Sequence, residues 1–227
     1  MTGTDDRPTR VQDRLWRAVK EWLTPADAKE TAARAKELAL SVLPPGEGAE
    51  PAAAHLVQVD SQVPQPPARL RPSAFDGSPG LLTRAGEIDD RLFRLNPVNA
   101  LVRGGKEREA MRGDWESLAG LLVRALVPRK LENPGHVLVA GAGAYHLVRV
   151  EGRIARGEVG PRAELAWTLP RPALAWVRSR NDIKHNTHEL GFADGSWTTV
   201  LFTSDGAHAV GRTFPQRLPY SAARPEN

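Results

Sequence analysis

Six short apolar runs between residues 136 and 202 limit the possible folds of this chain more than any other feature of its sequence. Gly, Pro or Asp separates most neighbouring runs, which are rich in Val, Leu, Trp and Phe. Short runs of β-branched and aromatic residues between turn-forming residues are typical of strands. The runs are HVLVAG, AYHLVRV, AELAWTL, ALAWVRS, THELGFA and SWTTVLF. They predict strands of an antiparallel sheet.

Gly141-Ala142-Gly143, between the first two runs, also resembles the start of a dinucleotide-binding loop. Such a loop needs a third glycine for helix packing, and His146 occupies that position. The residues that should then form a helix alternate like a strand, and no alternation of strands and helices follows. The sequence therefore predicts a hairpin here rather than a cofactor site.

A second hairpin is predicted over HELGFADGSWTTVLF. Asp194-Gly195 suits the turn, because these residues favour the backbone angles of tight hairpin connections. Residues on either side alternate between apolar and polar or small side chains, as a half-buried strand pair requires.

Upstream of the sheet, the sequence divides into helical and proline-rich segments. Residues 1–43 are predicted to form two helices, the second from Pro25 to about Leu43. Residues 44–84 are rich in Pro and are interpreted as a linker, with AAHLVQVD as a possible short strand within it.

The remaining segments complete the expected organisation. Residues 85–128 are a predicted helical region, whose strongest helix is KEREAMRGDWESLAGLLVRALVPR with an apolar stripe. Residues 129–218 are the antiparallel β domain, and residues 219–227 are predicted to be a disordered tail. The fold class is α+β, with an antiparallel sheet or partial β-barrel and flanking helices.

Composition excludes several classes of function. The chain has no cysteine, so disulfides, cysteine zinc sites and thiol nucleophiles are excluded. Lys and Arg number 31 against 27 Asp and Glu, but the excess is spread thinly, so nucleic-acid binding is not expected. No run is long enough for a membrane span, and a cytoplasmic location, with peripheral membrane contact as an alternative, is expected.

The candidate catalytic and metal-binding residues are few. His185 and His188 are the only close histidine pair, and a hydrogen-bonded surface or edge pair is favoured over a metal site, because no further ligand follows at a recognisable spacing. Nor do the serines occupy a nucleophile motif such as Gly-x-Ser-x-Gly. Neither an enzyme nor a cofactor is therefore expected.

The first predicted helix has an apolar stripe that carries tryptophan. Trp16, Val19, Trp22 and Leu23 lie on or beside it, with basic residues on the flanks. This pattern fits a helix that binds a partner protein or a membrane surface, and equally one that packs on its own protein.

The order of elements over residues 110–215 resembles a bacterial pleckstrin-homology-like (PH-like) domain of the GRAM type. The resemblance implies a curved antiparallel sheet or partial barrel that is plugged by a helix and serves as a binding platform. The segments that carry it are WESLAGLLVRAL, PGHVLVAGAGAYHLVRV, LAWTLPRPALAWVRS and HELGFADGSWTTVLFTSDGAHAVG.

The function expected from these features is non-catalytic binding. The first hairpin lacks the basic turn of lipid-binding relatives, so a protein partner is favoured over a phosphoinositide. An exposed basic edge of Arg178, Arg180 and Lys184 is the predicted contact on the sheet. The alternative is a small-ligand-binding protein or metal-dependent hydrolase that uses His185 and His188.

Overall fold

The protein is of the α+β class. The computed structural model describes residues 25–72, 109–127, 134–152, 154, 157–202, 213–214, 217–218 and 224. Two α-helices lie in this part of the chain, α1 (Pro25–Ser41) and α2 (Leu118–Leu126). The strands are β1 (Ala54–Val59), β2 (Met111–Arg112), β3 (Gly135–Ala140), β4 (Ala144–Val150), β5 (Ala163–Pro170), β6 (Leu174–Ser179), β7 (Thr187–Phe192), β8 (Trp197–Phe202) and β9 (Arg217–Leu218).

The strands form one sheet in the order β5-β4-β3-β1-β8-β7-β6-β9, and β2 also pairs with β8. Neighbouring strands are antiparallel except for β6 and β9, which are parallel. The six apolar runs correspond to β3 through β8, so the predicted antiparallel sheet is confirmed. Both predicted hairpins are also confirmed, because β3 pairs with β4 and β7 pairs with β8.

Strand β1 joins the two halves of the sheet, of which the first contains β3, β4 and β5 and the second contains β6, β7 and β8. Its residues 54–56 pair with β3, and its residues 57–59 pair with β8. The possible short strand AAHLVQVD within the predicted linker is therefore confirmed, and it is a central strand of the sheet. The prolines lie outside the strand, at positions such as Pro51 and Pro64, where their missing N–H does not interrupt the ladder.

Helix α2 packs against both halves of the sheet. Its buried Ala119, Leu122 and Leu126 belong to the same apolar cluster as residues of β3, β4, β7 and β8. Across this cluster, the Trp167 ring on β5 meets the Phe192 ring on β7 edge to face at 6.5 Å. The two halves therefore enclose a core that α2 helps to fill.

Helix α2 is shorter than the helix that the sequence predicts. Met111–Arg112 form strand β2 instead, and Gly113 has a positive φ of 117° that breaks the helical path. Ser117 then caps α2 by accepting a hydrogen bond from the Gly120 amide at 3.2 Å.

The β7–β8 turn supplies further caps to α2 from a distant part of the chain. The Leu118 amide donates to Asp194 Oδ2 at 2.8 Å, and the Ala119 amide donates to Ser196 Oγ at 3.1 Å. The first amides of a helix have no partner within it, so the turn satisfies donors that would otherwise be unpaired. Asp194 and Ser196 of this turn, in the sequence FADGSW, thus hold the start of α2 against the second half of the sheet.

Helix α1 covers the first half of the sheet on the side away from α2. Its Ala32, Ala35 and Ala39 pack with buried residues of β1, β3 and β4, which leaves both faces of β4 buried. Its described residues, Pro25–Ser41, lie within the second helix that the sequence predicts. The first predicted helix, with Trp16, Val19, Trp22 and Leu23, lies outside the described residues, as do residues 85–108 and most of residues 219–227.

Neither described helix has the length and apolar character that crossing a bilayer would require.

Substitutions at two neighbouring residues of β1 test whether this segment is a core strand. Val57 is buried and Gln58 is exposed. We expect Val57→Asp to destabilise the protein by more than about 4 kcal/mol, because it buries an unpaired charge, and Gln58→Asp to change stability by less than about 0.5 kcal/mol. Urea unfolding measures both variants. Equal, small effects would show that residues 54–59 are not part of the core.

Candidate functional site

The register of β6, β7 and β8 places two rows of side chains on one face of the sheet. Trp176, Gly191 and Trp197 lie opposite one another across the three strands and form the first row. Arg178 and Glu189 form the second, since directly paired residues share a face. The residues between them pack toward α2, so both rows lie on the outer face of the second half of the sheet.

Gly191 makes the first row possible. A Cβ at this position would overlap the indole ring of Trp176, which lies directly over the glycine. The absence of a side chain lets Trp176 bury its ring against the sheet, where it is 5% exposed. The neighbouring Trp197 is buried to a similar extent, at 2%.

Glu189, in the second row, is a completely buried carboxylate that three arginines contact. Arg178 Nε donates to Glu189 Oε2 at 2.8 Å, and Arg178 Nη2 donates to the same oxygen. Arg180 Nη1 donates to Oε1 at 2.7 Å, and Arg224 Nη2 donates to Oε1 at 3.1 Å. Both carboxylate oxygens are therefore satisfied by charged donors, which are the strongest hydrogen-bond donors available to them.

These contacts determine the protonation state of Glu189. Burial by itself raises the pKa of the carboxyl, but the hydrogen bonds from Arg224 and Arg178, together with the charges of these arginines, outweigh it and lower the pKa. Glu189 is therefore ionised at neutral pH despite its burial.

Arg224 has the most distinctive surroundings of the three arginines. Its guanidinium carbon lies 3.6 Å from the centroid of the Trp197 ring, within the range of a cation–π contact. The same guanidinium contacts Glu189 on one side and Glu109 Oε2, at 3.4 Å, on the other. Arg224 is thus held by one aromatic face and two carboxylates.

We name this set of side chains the Glu189 cluster. Asp182 belongs to it because it accepts from Arg180 Nε at 3.0 Å. The cluster comprises three guanidinium groups, three carboxylates and one indole, from Arg178, Arg180, Arg224, Glu109, Asp182, Glu189 and Trp197.

The exposed basic edge that the sequence predicts is only partly present. Arg178 is 5% exposed and is paired with Glu189, so it does not present its charge to solvent. Arg180 is half-buried, and Lys184 alone of the three is exposed. Arg178 can be buried because it faces the Glu189 carboxylate on the adjacent strand, and a buried charge must be paired.

The two candidate histidines are separated by the fold. His188 is buried on the side of α2, where its ring meets Phe202 at 5.2 Å and its Nδ1 lies 3.1 Å from the Asn186 carbonyl oxygen. Burial lowers the pKa of His188, an effect that the Asn186 carbonyl only partly offsets. His185 is exposed. The predicted surface pair is therefore not formed.

A metal site is the alternative that the sequence leaves open for these histidines. Across the described ranges, no group of three or more His, Asp or Glu side chains is placed to hold a metal ion. The arrangement around His188 is instead that of a neutral ring packed in an aromatic core.

The Gly141–Gly143 hairpin holds a carboxylate of the protein itself. Glu47 Oε2 accepts from the Gly143 amide at 2.9 Å and from the Ala144 amide at 3.3 Å. The hydrogen bond from Gly143, followed by that from His146, lowers the pKa of Glu47. The amides that a cofactor phosphate would need are thus engaged by Glu47, in agreement with the prediction of a structural hairpin.

Five residues of the cluster were not identified from the sequence: Glu109, Asp182, Glu189, Trp197 and Arg224. A signal existed for Glu189, since it alternates with the apolar residues of β7 and faces a neighbouring strand that carries Arg178. No pattern pointed to Glu109 or Arg224, because each is brought to the cluster by a part of the chain that is distant in sequence.

No protein-family model, curated protein or solved structure matches this chain. The Glu189 cluster is therefore interpreted from its own chemistry. A carboxylate kept ionised by arginines is poorly suited to exchange protons near neutral pH, but it is well suited to hold a cation.

The burial of Glu189 predicts a large cost for removing its charge. Glu189→Gln leaves the surrounding arginines without their central anion, and we expect a loss of roughly 3–5 kcal/mol at pH 7. Glu116→Gln is the control, because Glu116 pairs with Arg124 at the surface, where a loss below about 1 kcal/mol is expected. Denaturant unfolding at a series of pH values measures both.

The pH dependence has a definite sign. A lowered pKa in the folded state means that the ionised carboxylate stabilises the protein above its ordinary pKa of 4.5, and that this contribution disappears as pH falls through the lowered value. The gap between wild type and Glu189→Gln should therefore be constant near neutral pH and close in acid. A gap that persists unchanged in acid would contradict the assignment of charge.

Proposed function

We propose that this chain is a non-catalytic cytoplasmic adaptor that binds a protein partner through a PH-like β domain. The observation that carries the proposal is the Glu189 cluster on the outer face of the second half of the sheet, which reaches solvent at Arg224 (29% exposed) and Glu109 (59% exposed). Trp and Arg are enriched at protein-binding surfaces, so the exposed end of the cluster is the proposed contact.

The strand order supports the PH-like type. Strands β3, β4 and β5 form one meander and β6, β7 and β8 form another, and β1 joins them by pairing with β3 and β8. Between β5 and β6 no ladder joins the described strands. An antiparallel sheet with a helix packed against it is what the resemblance to GRAM-type domains implies.

The core supports binding at the surface rather than inside the sheet. The space between the two halves is filled by apolar side chains of α2 and of the strands, including the aromatic rings of Tyr145, Phe192 and Phe202. Interiors packed in this way leave little space for a ligand. The exposed end of the Glu189 cluster, at Glu109 and Arg224, is therefore the favoured site of contact.

The β6–β7 turn extends this face with an apolar residue. Ile183 is 37% exposed, which makes it one of two large hydrophobic residues that are exposed in the described part of the chain. Lys184, beside it, is also exposed. An apolar side chain beside charged groups is typical of the boundary of a protein interface.

The N-terminal stripe is a second proposed contact. Trp16, Val19, Trp22 and Leu23 would bind the same partner as an amphipathic helix, since Trp is among the residues that dominate binding energy at protein interfaces.

Site-specific photo-crosslinking tests the proposed surface. A photoreactive amino acid at Ile183 should yield one crosslinked protein in the native cells, because this residue borders the proposed contact. The control is the same amino acid at Glu37, an exposed residue of α1 on the other half of the sheet. Crosslinking at Glu37 to the same protein, or none at Ile183, would reject the outer face as the contact.

Vesicle sedimentation separates a protein partner from a membrane surface. We expect the full chain to stay in the supernatant with both neutral and anionic phospholipid vesicles. If the N-terminal stripe binds membranes instead, the chain will pellet with anionic vesicles, and a variant that combines Trp16→Ala with Trp22→Ala will not. That result would replace the protein partner with peripheral membrane binding.

A further inference from the structure

The Arg224 side chain contacts Trp197, Glu189 and Glu109 in the way that a bound ligand contacts the residues of its site. Its guanidinium stacks on Trp197 at 3.6 Å and donates to Glu189, while Glu109 contacts it from the other side. Arg224 lies 27 residues after Trp197 in the sequence, so the neighbouring backbone does not impose this contact. The contact depends on the chemistry of the side chains.

That chemistry favours guanidinium over ammonium. A guanidinium group is planar, so it can lie flat on an indole ring while its edge donates to a carboxylate. Arg224 does both, since two of its nitrogens, Nε and Nη2, point toward the carboxylate of Glu189 at 3.4 and 3.1 Å. A lysine ammonium could not make the paired edge contact and the flat stacking contact at once.

The charges next to Arg224 also favour a cation at this position. The Arg224 guanidinium contacts the carboxylates of both Glu189 and Glu109. Withdrawal of Arg224 removes these contacts and uncovers the face of the Trp197 indole. A cationic group from elsewhere could restore them.

We propose that Trp197, Glu189 and Glu109 form a binding site for an arginine side chain of the partner protein, and that Arg224 occupies this site in its absence. The proposal rests on the proposed function and deepens it, because it names the chemistry of the group that the outer face recognises. Arg224 is then an internal competitor that the partner displaces.

Competition has a measurable consequence. The apparent affinity for an external arginine is reduced in proportion to the fraction of molecules in which Arg224 is out of the site. Removing the Arg224 guanidinium should therefore raise the affinity for an arginine side chain without creating a new contact.

The experiment uses the full chain and a peptide with a single arginine, acetyl-Gly-Gly-Arg-Gly-Gly-amide. We expect Arg224→Ala to bind this peptide at least about tenfold more tightly than wild type, as release from an internal competitor predicts. The indole N–H signal of Trp197 in a nitrogen–proton correlation spectrum reports binding at the site itself. It is assigned by its loss in Trp197→Phe.

Three controls define the specificity of the site. The lysine version of the peptide should bind Arg224→Ala several-fold more weakly than the arginine peptide. Combining Glu109→Gln with Arg224→Ala should weaken arginine binding while the fold is kept, because Glu109 is 59% exposed. Arg162→Ala removes an exposed arginine from the first half of the sheet and should behave as wild type.

The outcomes separate this inference from the proposed function. If arginine and lysine peptides shift the Trp197 signal equally, or neither shifts it in Arg224→Ala, the arginine site is rejected even where Ile183 crosslinks to a partner. If arginine binds as expected but Ile183 yields no crosslink, the site stands and the proposed partner surface fails. Should Arg224→Ala not fold, Arg224→Lys keeps the charge and should show an intermediate gain in affinity.

Discussion

The dual pairing of β1 is the constraint on which the rest of the structure depends. One half of this six-residue strand hydrogen-bonds to β3 and the other half to β8, so the strand belongs to both halves of the sheet at once. Because β3–β5 and β6–β8 are separate meanders, this pairing joins them into one sheet, and α2 packs against both halves. Helix α1 then covers the half that contains β3, β4 and β5, and the outer face of the other half is left for the Glu189 cluster.

Glu189 imposes a second constraint, because a completely buried carboxylate stabilises only a structure that supplies all of its donors. Arg178 comes from the adjacent strand, Arg180 from the end of that strand and Arg224 from the last residues of the chain. A shift of one residue between β6 and β7 would turn Glu189 toward the apolar core and Leu190 toward the arginines. The cluster therefore fixes the register of these strands as well as forming the candidate site.

The sequence predicted those elements that local patterns specify. The apolar runs and the Asp194-Gly195 turn were sufficient for β3 to β8. The segment AAHLVQVD was recognised as a possible short strand, but its central place in the sheet could not be predicted, because prolines dominate the composition around it and only its long-range pairing shows that it is central. The same holds for the site: Glu189 follows the period of its strand, but its paired charges come from three different segments, so reading Arg178 as an exposed basic residue was wrong.

Arg224 stabilises the cluster by covering the face of Trp197 and pairing with Glu189. A buried carboxylate is costly without its cation, and so is an indole face left uncovered, which explains why a side chain of the same protein fills the position. In the proposed competition, an external guanidinium would replace Arg224 at little net change in free energy, because Glu189 and Trp197 would interact with it as they do with Arg224. Displacement would then depend on what else the partner binds, such as the surface at Ile183, so a partner would need interactions beyond this one contact.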